Sequence, residues 1–288
     1  MKARFTPALF GHAETVLGQL LRFEHPADAV VSRYFREHRQ LGHADRAFVA
    51  ETVFAVLRRW RSLAERCAGD SSPRRLLLVA LVCVRGWSQR ELAPVLRASD
   101  DGWLAEAKSR QETDFPPAVR CDLPDWLYER LAAQFGADAV PALADALNQP
   151  APLDLRVNTL KGDRAALLGR LAAEGIAARE GGLSPLAIRL RDKPALSKNP
   201  LFQEGAFEVQ DEGSQLLGFL LEPRRGEMVA DFCAGAGGKT LLLGALMKNT
   251  GRLYAFDVSD KRLANLKPRL ARSGLSNVHP ARIEHERD

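Results

Sequence analysis

The segment Met228-Val-Ala-Asp-Phe-Cys233 has the composition of a strand, and the chain turns immediately after it. Gly235, Gly237 and Gly238 crowd the turn, and a helix is predicted from about Lys239 to Lys248. Asn249-Thr-Gly251 closes that helix, and Leu253-Tyr-Ala-Phe-Asp257 is a second strand. A further helix opens near Ser259, a good N-cap, and stops at Gly274 with Pro268 inside it. Val278–Ile283 supplies a third strand. The order βαβαβ is the start of a doubly wound, Rossmann-like α/β sheet.

A strand that ends in a glycine-rich turn before a helix is a ligand cradle. Glycine lets the backbone turn tightly and lets a ligand approach the main chain, and the first N–H groups of the helix favour negative or polar groups. Asp257 ends the next strand, where an acidic side chain accepts hydrogen bonds from ribose hydroxyls. A phosphate-binding P-loop needs glycine where Cys233 stands, and the dinucleotide fingerprint needs glycine where Thr240 stands. The pattern that remains, a glycine-rich first turn with an acidic second strand end, suits S-adenosyl-L-methionine, which has no phosphate to cradle. A plain tight turn is the alternative for the glycines alone.

Upstream the texture differs. Residues from about Ala8 to Glu112 read as helices, with Val49, Val53, Val56, Leu57 and Trp60 at helical period and the apolar run Leu76–Val84 as a buried helix. Asp114-Phe-Pro-Pro117 interrupts, a helical stretch follows to about Leu147 with Asp122 or Asp125 as its cap, and Asn148-Gln-Pro-Ala-Pro152 is a linker. Leu153-Asp-Leu-Arg-Val-Asn158 alternates as a strand does. A short helix over Arg164–Glu174 and strands at Ile176–Arg179 and Leu186–Leu190 complete a small α+β module. The expected domains are therefore 1–150, helical with linker helices; 151–208, small α+β; and 209–288, the N-terminal part of a cofactor-binding α/β domain.

Glu208-Val-Gln-Asp-Glu-Gly-Ser-Gln-Leu216 followed by Asp231-Phe-Cys-Ala-Gly-Ala-Gly-Gly-Lys-Thr240 resembles the Sun/Fmu (RsmB-like) RNA 5-methylcytosine methyltransferases. Leu155-Arg-Val-Asn-Thr-Leu-Lys161 is similar to the family's entry into an RNA-recognition-like module, and Asp45-Arg-Ala-Phe-Val-Ala-Glu51 to its NusB-like N-domain. The family usually has proline where Ala236 stands. The resemblance implies that Cys233, Ala234, Gly235, Ala236, Gly237, Gly238 and Lys239 line the methionine end of S-adenosyl-L-methionine. It implies that Asp257 holds the ribose, that Asp288 lies near the adenine, and that Arg156 and Asn158 contact RNA, by family the 16S rRNA.

By the same resemblance, methylation at cytosine C5 needs a cysteine thiolate that adds to C6, carried in a Pro-Cys motif, with a second cysteine for release. The four cysteines, Cys67, Cys83, Cys121 and Cys233, are none of them preceded by proline. The expectation is a family member without its nucleophile and inactive by itself. Two other readings stay open: a non-catalytic RNA-binding protein that retains the cofactor fold, and a different nucleotide-dependent enzyme. A chain that stops at Asp288 is expected to expose the apolar edge of Met228–Cys233, and so to be poorly soluble or to need another chain.

Bulk properties agree with these readings without selecting one. A net charge of +5 and a pI near 9.2 permit a polyanionic partner, and Arg58, Arg59, Arg61, Arg66, Arg74 and Arg75 crowd one region as possible phosphate contacts. The cysteine spacing carries no metal signature, so no metal is expected. With no signal peptide and no apolar run long enough to span a bilayer, the expected setting is the cytoplasm, away from membranes. Oligomeric state is not legible.

Overall fold

The computed structural model describes residues 5–285 and divides into two compact units, Met1–Gln149 and Pro150–Asp288. The first is helical. Its elements are α1 (Pro7–Leu20), α2 (Ala27–Glu37), α3 (His43–Arg58), α4 (Trp60–Arg66), α5 (Pro73–Val79), α6 (Gln89–Leu92), α7 (Asp101–Ser109), α8 (Pro117–Arg120), α9 (Asp125–Phe135) and α10 (Val140–Leu147). Helix α5 passes into a π-helical turn, Ala80–Val84. The predicted apolar run lies here at the centre of the bundle, with Leu76 through Leu81 fully buried. Val49, Val53 and Val56 pack against it, whereas Trp60 opens the next helix and stays 40% exposed. Asp122 does not cap α9. It accepts hydrogen bonds from the Ser62 N–H at 2.8 Å and hydroxyl at 2.9 Å, tying the turn before α9 to α4.

The second unit holds two sheets. Strands β1 (Leu153–Val157), β2 (Ala178–Glu180), β3 (Ala187–Leu190) and β4 (Phe207–Val209) form an antiparallel sheet in the order β2-β3-β1-β4, with α11 (Arg164–Ala173) and α12 (Pro200–Gln203) in its connections. Then come α13 (Glu212–Leu221), β5 (Met228–Asp231), α14 (Gly238–Leu246), β6 (Arg252–Asp257), α15 (Asp260–Ser273) and β7 (Val278–Arg282). The strands β5-β6-β7 pair in parallel in that order. Ser259 caps α15 as its position predicts, and the helix continues through Pro268. Among the described residues β5 has one neighbour, β6, and near that open edge Met228 is 70% and Phe232 49% exposed. No described helix is long and apolar enough to cross a membrane.

The two faces of β1 behave unlike those of a surface strand. Leu155 and Val157 enter the core with Leu167, Leu171, Ile188 and Phe207, as alternation predicts. Asp154 and Arg156 on the other face, and Asn158 just beyond the strand, are buried too. Asp154 holds Arg189 with two bonds of 2.7 and 2.8 Å. Arg156 faces Glu208 across the β1–β4 pairing. The Glu208 carboxylate receives Arg269 and Arg272 of α15, each through two N–H groups at 2.8–3.0 Å. Asn158 donates to the carbonyls of Gly205 and Ser273, both at 2.9 Å. The polar face of the small sheet is therefore the joint to α13, α14 and α15.

A buried charge that loses its partner costs far more than a surface pair is worth. Glu208→Ala strands Arg156, Arg269 and Arg272, so the expected loss in unfolding free energy is about 3 kcal/mol, at the low end for a broken buried pair. Urea denaturation measures it, and a loss within the ~0.5 kcal/mol of ordinary surface substitutions would show that the joint is not held by this carboxylate.

Candidate functional site

The turn after β5 is shaped by its glycines. Gly235 has φ +56° and Gly237 φ +84°, and a Cβ on Gly237 would lie 2.1 Å from Leu266 Cδ1 on α15. The Ala234 N–H donates to the Phe256 carbonyl at 2.8 Å, which fixes the turn to β6. Asp257 adds a second tie. One carboxylate oxygen accepts the Gly235 N–H at 2.8 Å and the other the Ser259 N–H at 2.8 Å. The side chain is buried beside the turn, with one further acceptor position on each oxygen.

Two arginines grip the turn's carbonyls. Arg269 donates to the Ala236 carbonyl and Arg156 to the Gly238 carbonyl, both at 2.7 Å. Arg156 also donates to Gln210 Oε1 at 2.6 Å. Burial lowers its pKa to about 10, with Glu208 opposing the shift, so it stays charged near neutrality. This differs from the expectation of an RNA contact. Arg156 is 2% and Asn158 6% exposed, and their donors serve the protein interior.

The site residues meet in a cavity of about 290 Å³ lined by Val209, Gln210, Asp211, Ser214, Asp231, Cys233, Ala234, Gly238 and Lys239. Cys233, Ala234, Gly238 and Lys239 were expected there. Gly235 and Gly237 shape the turn, Ala236 takes the Arg269 bond, and Asp257 lies on the far side of Gly235. Asp288 lies outside the described residues. Four polar lining residues, Gln210, Asp211, Ser214 and Asp231, had no role assigned. Asp211 caps α13 through the Ser214 N–H at 2.8 Å, and its pKa is held low by that contact with Ser214 and, further down, by Lys239. Asp231 accepts the buried Thr240 hydroxyl at 2.7 Å. Lys239 is exposed and makes no ion pair among the described residues. The cavity thus sets one free ammonium group beside two carboxylates.

The cysteines divide clearly. Cys67 and Cys121 are buried and Cys83 is partly so. Burial pushes the Cys67 thiol up to about 12 and raises those of Cys83 and Cys121, the opposite of what a thiolate nucleophile needs. Cys233 is exposed, in the cavity wall. No group of three or more His, Cys, Asp or Glu side chains among the described residues is arranged to hold a metal ion.

Residues 123–197 match the RsmF/B-like methyltransferase ferredoxin-like domain, and residues 218–286 match the 16S rRNA methyltransferase RsmB/F family. The first match begins just before α9, within the first compact unit. A probable ribosomal RNA small subunit methyltransferase B of Bacillus subtilis is 36% identical over 162 residues, covering 56% of this chain and 36% of the relative. The Xylella fastidiosa ribosomal RNA small subunit methyltransferase B is 35% identical over 247 residues, covering 76% and 56%. The Synechocystis relative is 28% identical over 296 residues, covering 91% and 66%, so the chain spans two thirds or less of these proteins. In fold it is similar to PH0851, with a TM-score of 0.70 at 21% identity over 98% of this chain and 70% of that one. A methyltransferase homolog protein from Pyrococcus horikoshii aligns at 32% identity with a TM-score of 0.53 over 57% of this chain and 54% of that one. With both domain matches in chain order and the glycine turn inside the second, this chain belongs to the RsmB/F (Sun/Fmu) methyltransferase family.

Proposed function

We propose that the chain carries the cofactor-binding and RNA-recognition portion of an S-adenosyl-L-methionine-dependent rRNA cytosine-C5 methyltransferase acting in the cytoplasm on small-subunit 16S rRNA. Its second unit would combine an RNA-recognition-like module with a Rossmann-like class I cofactor domain, and its first would be the NusB-like domain. The single observation that carries the cofactor reading is the cavity beside the glycine turn, where Lys239 faces Asp211 and Asp231. Those charges suit an amino-acid zwitterion: Lys239 for the carboxylate, and Asp211 and Asp231 for the ammonium group. A Cβ at Gly235 or Gly238 would meet its nearest neighbours, Asp257 and Gln210, only at ordinary van der Waals distance, 4.0 and 3.8 Å. The cavity residues would hold the methionine end, and Asp257, which takes the Gly235 N–H, would hold the ribose. A solved relative titled NSun6 from Pyrococcus horikoshii with SFG has a comparable fold, with a TM-score of 0.51.

When bound, the cofactor supplies an electrophilic methyl group. The chain's own residues bind and orient it: the arginine-held carbonyls of Ala236 and Gly238 keep the turn in shape, and Asp257 sets the ribose end. Pyrimidine C5 attack also needs a thiolate, and the cysteines here offer none in a suitable environment: three are pushed towards the neutral thiol, and Cys233 lines the cofactor cavity. By itself the chain binds the donor without using it. The cavity's two carboxylates argue against the nucleotide-dependent reading, because a triphosphate would meet like charge.

Calorimetric titration separates these readings. Saturable binding of S-adenosyl-L-methionine and none of ATP is expected, with Lys239→Ala weakening the former about tenfold or more, the worth of a charge-assisted hydrogen bond. ATP binding at equal or higher affinity would sink the proposal. Gly237→Ala, which forces a side chain into Leu266 at φ +84°, is expected to abolish cofactor binding and lower the melting temperature. Wild-type affinity in that variant would refute the role given to the turn. Incubation with labelled donor and small-subunit rRNA is expected to leave the RNA unmethylated. Methylcytosine that disappears in Cys233→Ser would instead make Cys233 the nucleophile.

A further inference from the structure

The six arginines between α3 and α5 do not form one phosphate-binding patch. Arg66 is buried against the carbonyls of Ala107 and Arg110 and pairs with Glu112. Arg74 pairs with Asp100, and Arg75 pairs with Asp70 while lying 4.5 Å from the Trp103 ring centroid. Arg61 pairs with Asp125 at 2.8 Å. Arg58 and Arg59 remain; neither makes an ion pair among the described residues, and the Arg59 charge acts on the Asp122 carboxyl. Both sit where α3 ends and α4 begins, next to Trp60.

The same place carries exposed aromatic surface. Phe23 is 65%, Trp60 40% and Trp126 59% exposed. Phe23 meets Trp60 edge to face with centroids 6.2 Å apart, and Trp60 and Trp126 line one groove of about 510 Å³ with Leu57, Arg61, Pro124 and Asp125. Phe23 has φ +54°, a left-handed conformation that a phenylalanine adopts only under constraint, and the ring it presents faces solvent. Arg22 beside it is exposed and unpaired among the described residues, and the Arg130 guanidinium lies 5.8 Å from the Trp126 ring centroid. The two acids of the groove wall are engaged: Asp125 with Arg61, and Asp122 with the Ser62 N–H and hydroxyl and with the Arg59 charge.

From this juxtaposition we infer that the groove between Trp60 and Trp126 is a binding site for an unpaired RNA strand, whose bases stack on the two indoles and Phe23 while Arg58, Arg59 and Arg22 meet its phosphates. Flat aromatic faces accept any base, and free guanidinium groups beside them supply the charge complementarity that the strand's backbone requires. A duplex keeps its bases stacked inside and cannot use these faces. The site lies on the helical unit, and it rests on the reading that the chain acts on RNA.

The test is an anisotropy titration of the full chain with a short labelled oligouridylate, a duplex of equal length, and polyglutamate, alongside the cofactor titration. The single strand is expected to bind most tightly. Trp60→Ala with Trp126→Ala is expected to weaken it about tenfold or more, and Trp60→Phe with Trp126→Phe to restore most of the affinity. Arg58→Gln with Arg59→Gln should lower the slope of log affinity against log salt by roughly 1.4, for two phosphate contacts on a single strand. Unchanged affinity in the double alanine variant overturns the groove and leaves RNA binding elsewhere on the chain. No RNA binding at all, with cofactor binding intact, overturns the RNA-substrate reading together with the groove. Polyglutamate bound as tightly as RNA, and lost in the same variants, overturns it in favour of an acidic protein partner.

Discussion

One carboxylate, that of Glu208, holds the second unit's site in shape. It pairs with Arg269 and Arg272 and sits across from Arg156 in the β1–β4 pairing. Two of these three arginines hold the glycine turn by the carbonyls of Ala236 and Gly238. Charge-assisted bonds to carbonyls are directional, so the turn's backbone is set from outside as well as by its own glycines. The site's geometry thus depends on the small sheet being docked against α14 and α15. A substitution in β4 would reach the glycine turn without touching it directly.

That dependence explains what the sequence could and could not disclose. Alternation over Leu153–Asn158 correctly announced a strand and its apolar face. It could not say that Asp154, Arg156 and Asn158 face a second layer of protein, because burial of a polar face depends on partners far along the chain. Arg156 finds Gly238, and Asn158 finds Ser273. Strand β4 is three residues long, too short to show a period, and went unseen for that reason. In the stretch from Gln210 to Gln215, most side chains prove to be connectors. Gln210 meets Arg156, Glu212 takes the Ser184 N–H and Arg189, and Gln215 meets the Ser184 hydroxyl.

The turn from Cys233 to Lys239 and the acid at Asp257 were legible because their signal is local: glycine at the bend, a carboxylate at the next strand end. The arginine cluster was misleading for the opposite reason. Adjacent positions suggested one patch, but each side chain's fate is decided by whether an acid such as Glu112, Asp100, Asp70 or Asp125 reaches it. Of the six, Arg58 and Arg59 make no ion pair among the described residues, and Arg59 acts on Asp122 through its charge alone.

Charge also decides between ligands that share an adenosine. A triphosphate would need several cations and few acids near the turn, and the cavity has the reverse, with Lys239 alone against Asp211 and Asp231. The low pKa of Asp211, set first by its bond to Ser214, keeps that carboxylate ionised. The amino-acid end of a methyl donor carries an ammonium group and one carboxylate, which match Asp211 and Asp231 on one side and Lys239 on the other. The missing P-loop and dinucleotide glycines and this charge balance are independent observations. One concerns backbone shape and the other electrostatics, and both favour a methyl donor over a nucleotide.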